Sequence, residues 1–107
     1  RLNVVLSRRP DYSVPGGVLL FAGLACALAH LETRADLENV FVAGGAEIYR
    51  VAVAHDACRR IYLTRVHARW ACDVSFPDLR ARFARVSYDE HTTKEGLRFA
   101  FEVLDRV

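Results

Sequence analysis

The chain has 107 residues, of which 52% are hydrophobic and 26% charged, with a formal net charge of +2. That length predicts one domain, and the composition is globular, not that of a disordered chain. So small a positive excess argues for neither nucleic acid nor a membrane surface as a partner.

Residues 3–7 (Asn-Val-Val-Leu-Ser) are a nearly continuous apolar run with β-branched members, which predicts a buried strand of a parallel sheet. Arg8, Arg9, Pro10 and Asp11 end it, and Val14-Pro15-Gly16-Gly17 carries turn chemistry. Residues 18–21 are a second short strand candidate. Leu24, Ala27, Leu28 and Leu31 then fall at i, i+3, i+4 and i+7, one apolar helical face with Gly23 as its N-cap candidate.

Residues 40–43 (Val-Phe-Val-Ala) predict a central strand, and Gly44 and Gly45 follow at once. Ile48, Val51 and Ala52 make the next helical face. Residues 60–67 predict a third strong strand, so that strands and helices alternate as right-handed parallel crossovers require. Residues 70–77 read as an irregular linker. Residues 83–88 predict a strand, 89–95 a polar loop, and 97–103 a strand whose half-buried face is Leu97, Phe99, Phe101 and Val103. The expected fold is α/β: a mixed, mostly parallel sheet with flanking helices and a C-terminal antiparallel hairpin.

Cys26, Cys58 and Cys72 are odd in number and widely spaced, which predicts free thiols in a reducing cytoplasm and neither a disulfide framework nor a zinc site. The four histidines show no metal-ligand spacing. The longest apolar run, residues 18–29, is interrupted by Gly23 and is too short to span a bilayer. No charged-then-apolar leader is visible. The chain has no methionine and begins at Arg1, which reads as the C-terminal part of something longer.

Gly44-Gly45 between a strand and a helix means either tight packing or close approach of backbone to a ligand. Its position at the carboxyl end of a predicted central strand is where open α/β sheets bind ligands. The helix start at Ala46-Glu47 would present N–H groups to a phosphate. There is no Gly-x-Gly-x-x-Gly and no Walker sequence. Ser7-Arg8-Arg9, at another predicted strand end, could hold a phosphomonoester or be a solvated strand end. No nucleophile constellation and no acid–base carboxylate pair stands out.

Five segments taken together resemble dihydrofolate reductase, in the family's order and with compatible spacing: Arg1-Leu2-Asn3-Val4-Val5-Leu6-Ser7-Arg8, Val40-Phe41-Val42-Ala43-Gly44-Gly45-Ala46-Glu47-Ile48-Tyr49, Ile61-Tyr62-Leu63-Thr64-Arg65-Val66, Cys72-Asp73-Val74-Ser75-Phe76-Pro77 and Phe99-Ala100-Phe101-Glu102-Val103-Leu104. The resemblance implies that residues 1–107 are the C-terminal portion of one such domain. It implies NADPH-dependent reduction of 7,8-dihydrofolate, with dihydrofolate and antifolate-type molecules as ligands.

Carried over by residue, Arg1 matches the arginine that grips the α-carboxylate of the folate glutamate. Leu6, Ser7 and Arg8 match the segment around the adenosine and its 2′-phosphate. Ala22 stands where an adenine-contacting basic residue is common. Gly44 and Gly45 match a glycine pair joined by a cis peptide. Gly44, Gly45, Ala46, Glu47, Ile48, Tyr49 and Val51 match cofactor contacts, with Tyr49 near the nicotinamide.

Ala43 replaces a larger aliphatic residue against nicotinamide and pterin. Val74 replaces a threonine that bonds the catalytic carboxylate, so that hydroxyl is missing. The family's acidic catalytic residue falls upstream of Arg1, which leaves no catalytic residue within 1–107 and predicts an inactive isolated chain. The two strands that flank the central Gly-Gly strand in the family also fall upstream, so residues 40–43 are expected to lack backbone partners within this chain, and the missing N-terminal segment is an expected partner. Two alternatives stand beside this: a non-catalytic or degenerate nucleotide-binding fragment of the same fold, and a related riboflavin-pathway reductase.

Overall fold

The computed structural model describes residues 1–69 and 76–107. They form two compact units, Arg1–Ala43 and Gly44–Val107.

The first unit is a parallel strand pair with one helix. Strands β1 (Val4–Leu6) and β2 (Leu19–Phe21) pair in the register Val4↔Leu19, Val5↔Leu20 and Leu6↔Phe21. Helix α1 (Leu24–Leu31) follows β2 directly, with Gly23 extended at its N-cap. Ala27 is buried, Leu24, Leu28 and Leu31 are half-buried, and Ala25, Cys26 and Ala29 face solvent. The face predicted from i, i+3, i+4, i+7 spacing is therefore the one that packs. His30, in the last turn, lies 5.3 Å from the Phe21 ring, centroid to centroid.

Residues 40–43 are not a strand. They pair with no described strand, and Val40, Phe41 and Val42 are 51%, 73% and 36% exposed. An apolar β-branched run favours burial in a sheet, but a strand exists only where neighbours accept its hydrogen bonds.

The second unit begins with helix α2 (Ala46–Ala54) and continues into a three-stranded sheet of order β3-β5-β4, formed by β3 (Arg60–Val66), β4 (Phe83–Thr92) and β5 (Arg98–Arg106). Both pairings are antiparallel. This corrects the expectation of a mostly parallel sheet: among the described residues only β1–β2 is parallel, in a separate two-stranded sheet. The β4–β5 hairpin is antiparallel as expected, because so short a connection can join only antiparallel neighbours, and the departure is β3, which pairs antiparallel with β5. β4 also runs four residues further than predicted, through Asp89, Glu90, His91 and Thr92. In the turn, the Gly96 N–H donates to the Thr93 carbonyl at 3.0 Å, and Gly96 has φ +89°, where a side chain would be strained.

The unit's core is Ile61, Leu79, Phe83 and Leu104, with Val53, Cys58 and Leu63 packed against it. On β5 the buried residues are Ala100, Glu102 and Leu104, whereas Phe101 is half exposed. The period of two is as predicted, but the buried face is the opposite one. Glu102, only 2% exposed, tolerates this because Arg65 Nε donates to it at 2.5 Å and Arg85 Nε at 2.8 Å from the flanking strands. Phe99 and Phe101 lie on the other face and pack on each other and on His91, with centroids 5.2–5.4 Å apart.

Candidate functional site

In the first unit, the parallel register brings the carboxyl ends of two strands side by side. The Ser7 N–H donates to the Phe21 carbonyl at 2.9 Å, extending the ladder one step past Leu6. Leu6, Ser7 and Arg8 therefore lie beside the Phe21–Ala22 exit into α1. The Ser7 hydroxyl accepts the Arg9 N–H at 3.1 Å, which curls the chain after the strand. Ala22 and Arg8 are exposed, and no side chain caps α1 at Gly23. A strand end with a hydroxyl and a guanidinium, next to a helix start with uncapped N–H groups, is chemistry that suits an anion. Arg1 is exposed just ahead of β1. Ala43, at the other end of this unit, is exposed and lies in the unpaired segment.

In the second unit, Gly44 and Gly45 lead straight into α2, and the peptide between them is cis, as the resemblance implied. Gly44 has φ +139°. A side chain would be strained there whatever the space. The Tyr49 ring folds back over it: a Cβ on Gly44 would meet the Tyr49 hydroxyl oxygen at 3.7 Å. A Cβ on Gly45 would meet nothing within 4 Å. The Tyr49 N–H donates to the Gly45 carbonyl at 2.9 Å, closing the first turn, and no side chain caps the helix. The first turn of an α-helix carries backbone N–H groups that no carbonyl of the helix itself accepts. The acidic Glu47 sits in that turn, where it complements the helix dipole.

Ala46, Ile48 and Tyr49 are half-buried, whereas Val51 is 56% exposed. The inward face is Ile48, Tyr49, Ala52 and Val53, so Val51 does not join Ile48 and Ala52 as predicted. Residues one helical turn apart at i and i+4 align better than those at i+3. Phe76 was assigned no role from the sequence, yet its ring packs on Tyr49 at 5.1 Å and 53°. The Phe-Pro pair after a polar stretch was its only sequence signal. Val74, with Cys72 and Asp73, lies outside the described residues.

Among the described residues no group of His, Cys, Asp and Glu could hold a metal ion, and no helix is long and apolar enough to cross a membrane. Cys26 and Cys58 are free thiols.

The family model described as dihydrofolate reductase matches residues 1–106. A dihydrofolate reductase of Heliothis virescens is 42% identical over 82 residues, covering 74% of this chain and 44% of the relative. One of Drosophila melanogaster is 33% identical over 112 residues, covering 99% of this chain and 62% of the relative. The bifunctional dihydrofolate reductase-thymidylate synthase of Glycine max is 30% identical over 113 residues, covering 100% of this chain and 21% of the relative. The chain spans about half the length of the first two relatives. A match from Arg1 to Arg106, with the glycine pair and its helix start at the expected place, assigns the chain to the dihydrofolate reductase family.

Proposed function

We propose that residues 1–107 supply the C-terminal part of a cytoplasmic dihydrofolate reductase, an oxidoreductase that converts 7,8-dihydrofolate to 5,6,7,8-tetrahydrofolate with NADPH. The observation that carries this reading is the family match over residues 1–106. The uncapped start of α2 behind two glycines supports it, because that backbone can accept a pyrophosphate.

When bound, NADPH supplies the hydride. The chain's own residues bind and orient. Gly44 and Gly45 let backbone come close, and the N–H groups of Ala46, Glu47 and Ile48 donate to the pyrophosphate. Tyr49 lies near the nicotinamide. Ser7 and Arg8 hold the 2′-phosphate by charge-assisted bonds, with Leu6 and Ala22 beside the adenosine. Arg1 takes the substrate's α-carboxylate in a two-point pair. Ala43 and Val74 border the pterin. No residue here moves the proton to the pterin; that acidic group belongs upstream of Arg1.

The test mixes this chain with the N-terminal part of the Drosophila melanogaster relative and follows NADPH oxidation with dihydrofolate. Turnover in the mixture alone, blocked by an antifolate, is expected. Absence of both turnover and antifolate binding overturns the reading. Ala43 and Val74, each smaller or less polar than the family's residue, favour a second reading, a non-catalytic nucleotide-binding member of the fold. Thermal stabilisation of the mixture by NADPH without turnover would select it.

A further inference from the structure

The Glu102 face of the three-stranded sheet opens into a cleft of about 670 Å³. Its lining is apolar at Phe76, Leu79 and Phe83, and three guanidinium groups reach it. Arg80 is already held by Asp78 in a two-point pair, with bonds of 3.0 and 2.8 Å. Arg65 and Arg85 differ. Each donates its Nε–H to the buried Glu102, and each side chain is still about half exposed, at 52% and 51%. A guanidinium carries five N–H donors, and among the described residues the Nη groups of both have no other acceptor.

Two cations share one carboxylate, which leaves one positive charge at the cleft. Their planes are set in advance. Glu102 fixes both from the sheet, and Arg85 also stacks over the Tyr88 ring at 4.5 Å. Fixed donors spare a ligand the cost of ordering long side chains. The anion is buried while both cations stay half exposed, so their outer N–H groups remain open to an incoming acceptor.

We infer that this cleft binds a small amphipathic anion, an aromatic or aliphatic body ending in a carboxylate or phosphate, held by Arg65 and Arg85 with the body against Phe76, Leu79 and Phe83. The site lies within the second unit and is independent of the reductase reading.

The test titrates the full chain, labelled with nitrogen-15, with phenyl phosphate, benzoate, inorganic phosphate and benzyl alcohol. The Nε–Hε resonances of Arg65 and Arg85 report. Saturable shifts with phenyl phosphate or benzoate are expected, and whichever binds tighter names the head group. Inorganic phosphate should bind about tenfold more weakly, and benzyl alcohol should leave both resonances in place. Arg80→Met should keep the binding, and Arg65→Met with Arg85→Met, followed through the backbone amides of Leu79 and Phe83 in the cleft, should lose it. Should the double variant lose its folded spectrum, Arg85→Lys decides: it keeps the charge, loses the fork and should weaken binding about tenfold. Shifts that never saturate, undiminished binding in the variants at Arg65 and Arg85, or equal binding of benzyl alcohol overturn the inference.

Discussion

The guanidinium of Arg106 lies over the ring of Phe83, 5.0 Å from its centroid, and from there it holds the C-terminal end of α2. Its Nε donates to the Cys58 carbonyl at 2.8 Å, and Nη2 donates to those of Val53 and His55 at 3.0 and 2.6 Å. The end of a helix is where carbonyls lack partners and where a cation is favoured. Arg106→Met should therefore lower stability by about 2 kcal/mol, read as a lower urea midpoint at unchanged slope. Arg106→Lys, with a charge but no fork, should recover less than half.

Glu102 sets the acid response of the second unit. Burial pushes its carboxyl up, but the hydrogen bonds and charges of Arg65 and Arg85 outweigh that and hold it below its ordinary 4.5. As pH falls the unfolded chain takes up this proton first. The contribution is thus full above about pH 4.5 and is lost as pH drops through the lower folded value. Glu102→Gln should cost about 2 kcal/mol at neutral pH, since two half-exposed cations lose their carboxylate. Its deficit against the unchanged chain should shrink in denaturation curves taken below pH 4.5. The Asp78 carboxyl, drawn down to about 2 by its hydrogen bond from Arg80, is exposed and should contribute little to that limb.

The two glycines before α2 should respond differently to alanine. Gly44→Ala meets an unfavourable φ, with only an ordinary contact to Tyr49, so its cost is conformational, about 1–3 kcal/mol. Gly45 has φ −98° and open space around it. Gly45→Ala should stay within about 1 kcal/mol of the unchanged chain. Equal thermal midpoints for the two variants would show that the positive φ of Gly44 carries no cost.

Phe41 separates what this chain does alone from what it does with a partner. At 73% exposure, Phe41→Ser should alter the chain's unfolding free energy by less than about 0.5 kcal/mol. In the reductase reading, residues 40–43 become the central strand once neighbours are supplied. The same change should then abolish turnover in the mixed assay. Undiminished turnover would show that this segment takes no part in assembly.

Local periodicity made much of the fold legible. The face of α1, the start of α2 behind Gly45, the β3 segment and the β4–β5 hairpin all follow from spacing and turn residues. What escaped depended on partners distant in sequence. Residues 40–43 have the composition of a buried strand, but composition does not say who lies alongside. Alternation along β5 gives two faces without saying which is inside. Glu102 is buried because of arginines 37 and 17 residues away. Arg106 reads as one more surface arginine until the fold places it against carbonyls about fifty residues earlier. Phe76 meets Tyr49 only through the tertiary fold. At the candidate site, the glycine pair and the strand-end Ser7-Arg8 were visible because both are local chain signals.

The middle position of β5 sets an order of events during synthesis. Both its sheet neighbours precede it in the chain, and β3 and β4 are not hydrogen-bonded to each other. A ribosome therefore releases β3 with its apolar residues well before the strand that will cover them exists. At usual elongation rates, the roughly thirty residues from Val66 to Arg98 take on the order of seconds. For that interval Ile61 and Leu63 have no sheet to enter. A nascent chain halted before Arg98 should engage hydrophobic-segment chaperones, and one halted well beyond Arg106 should let them go.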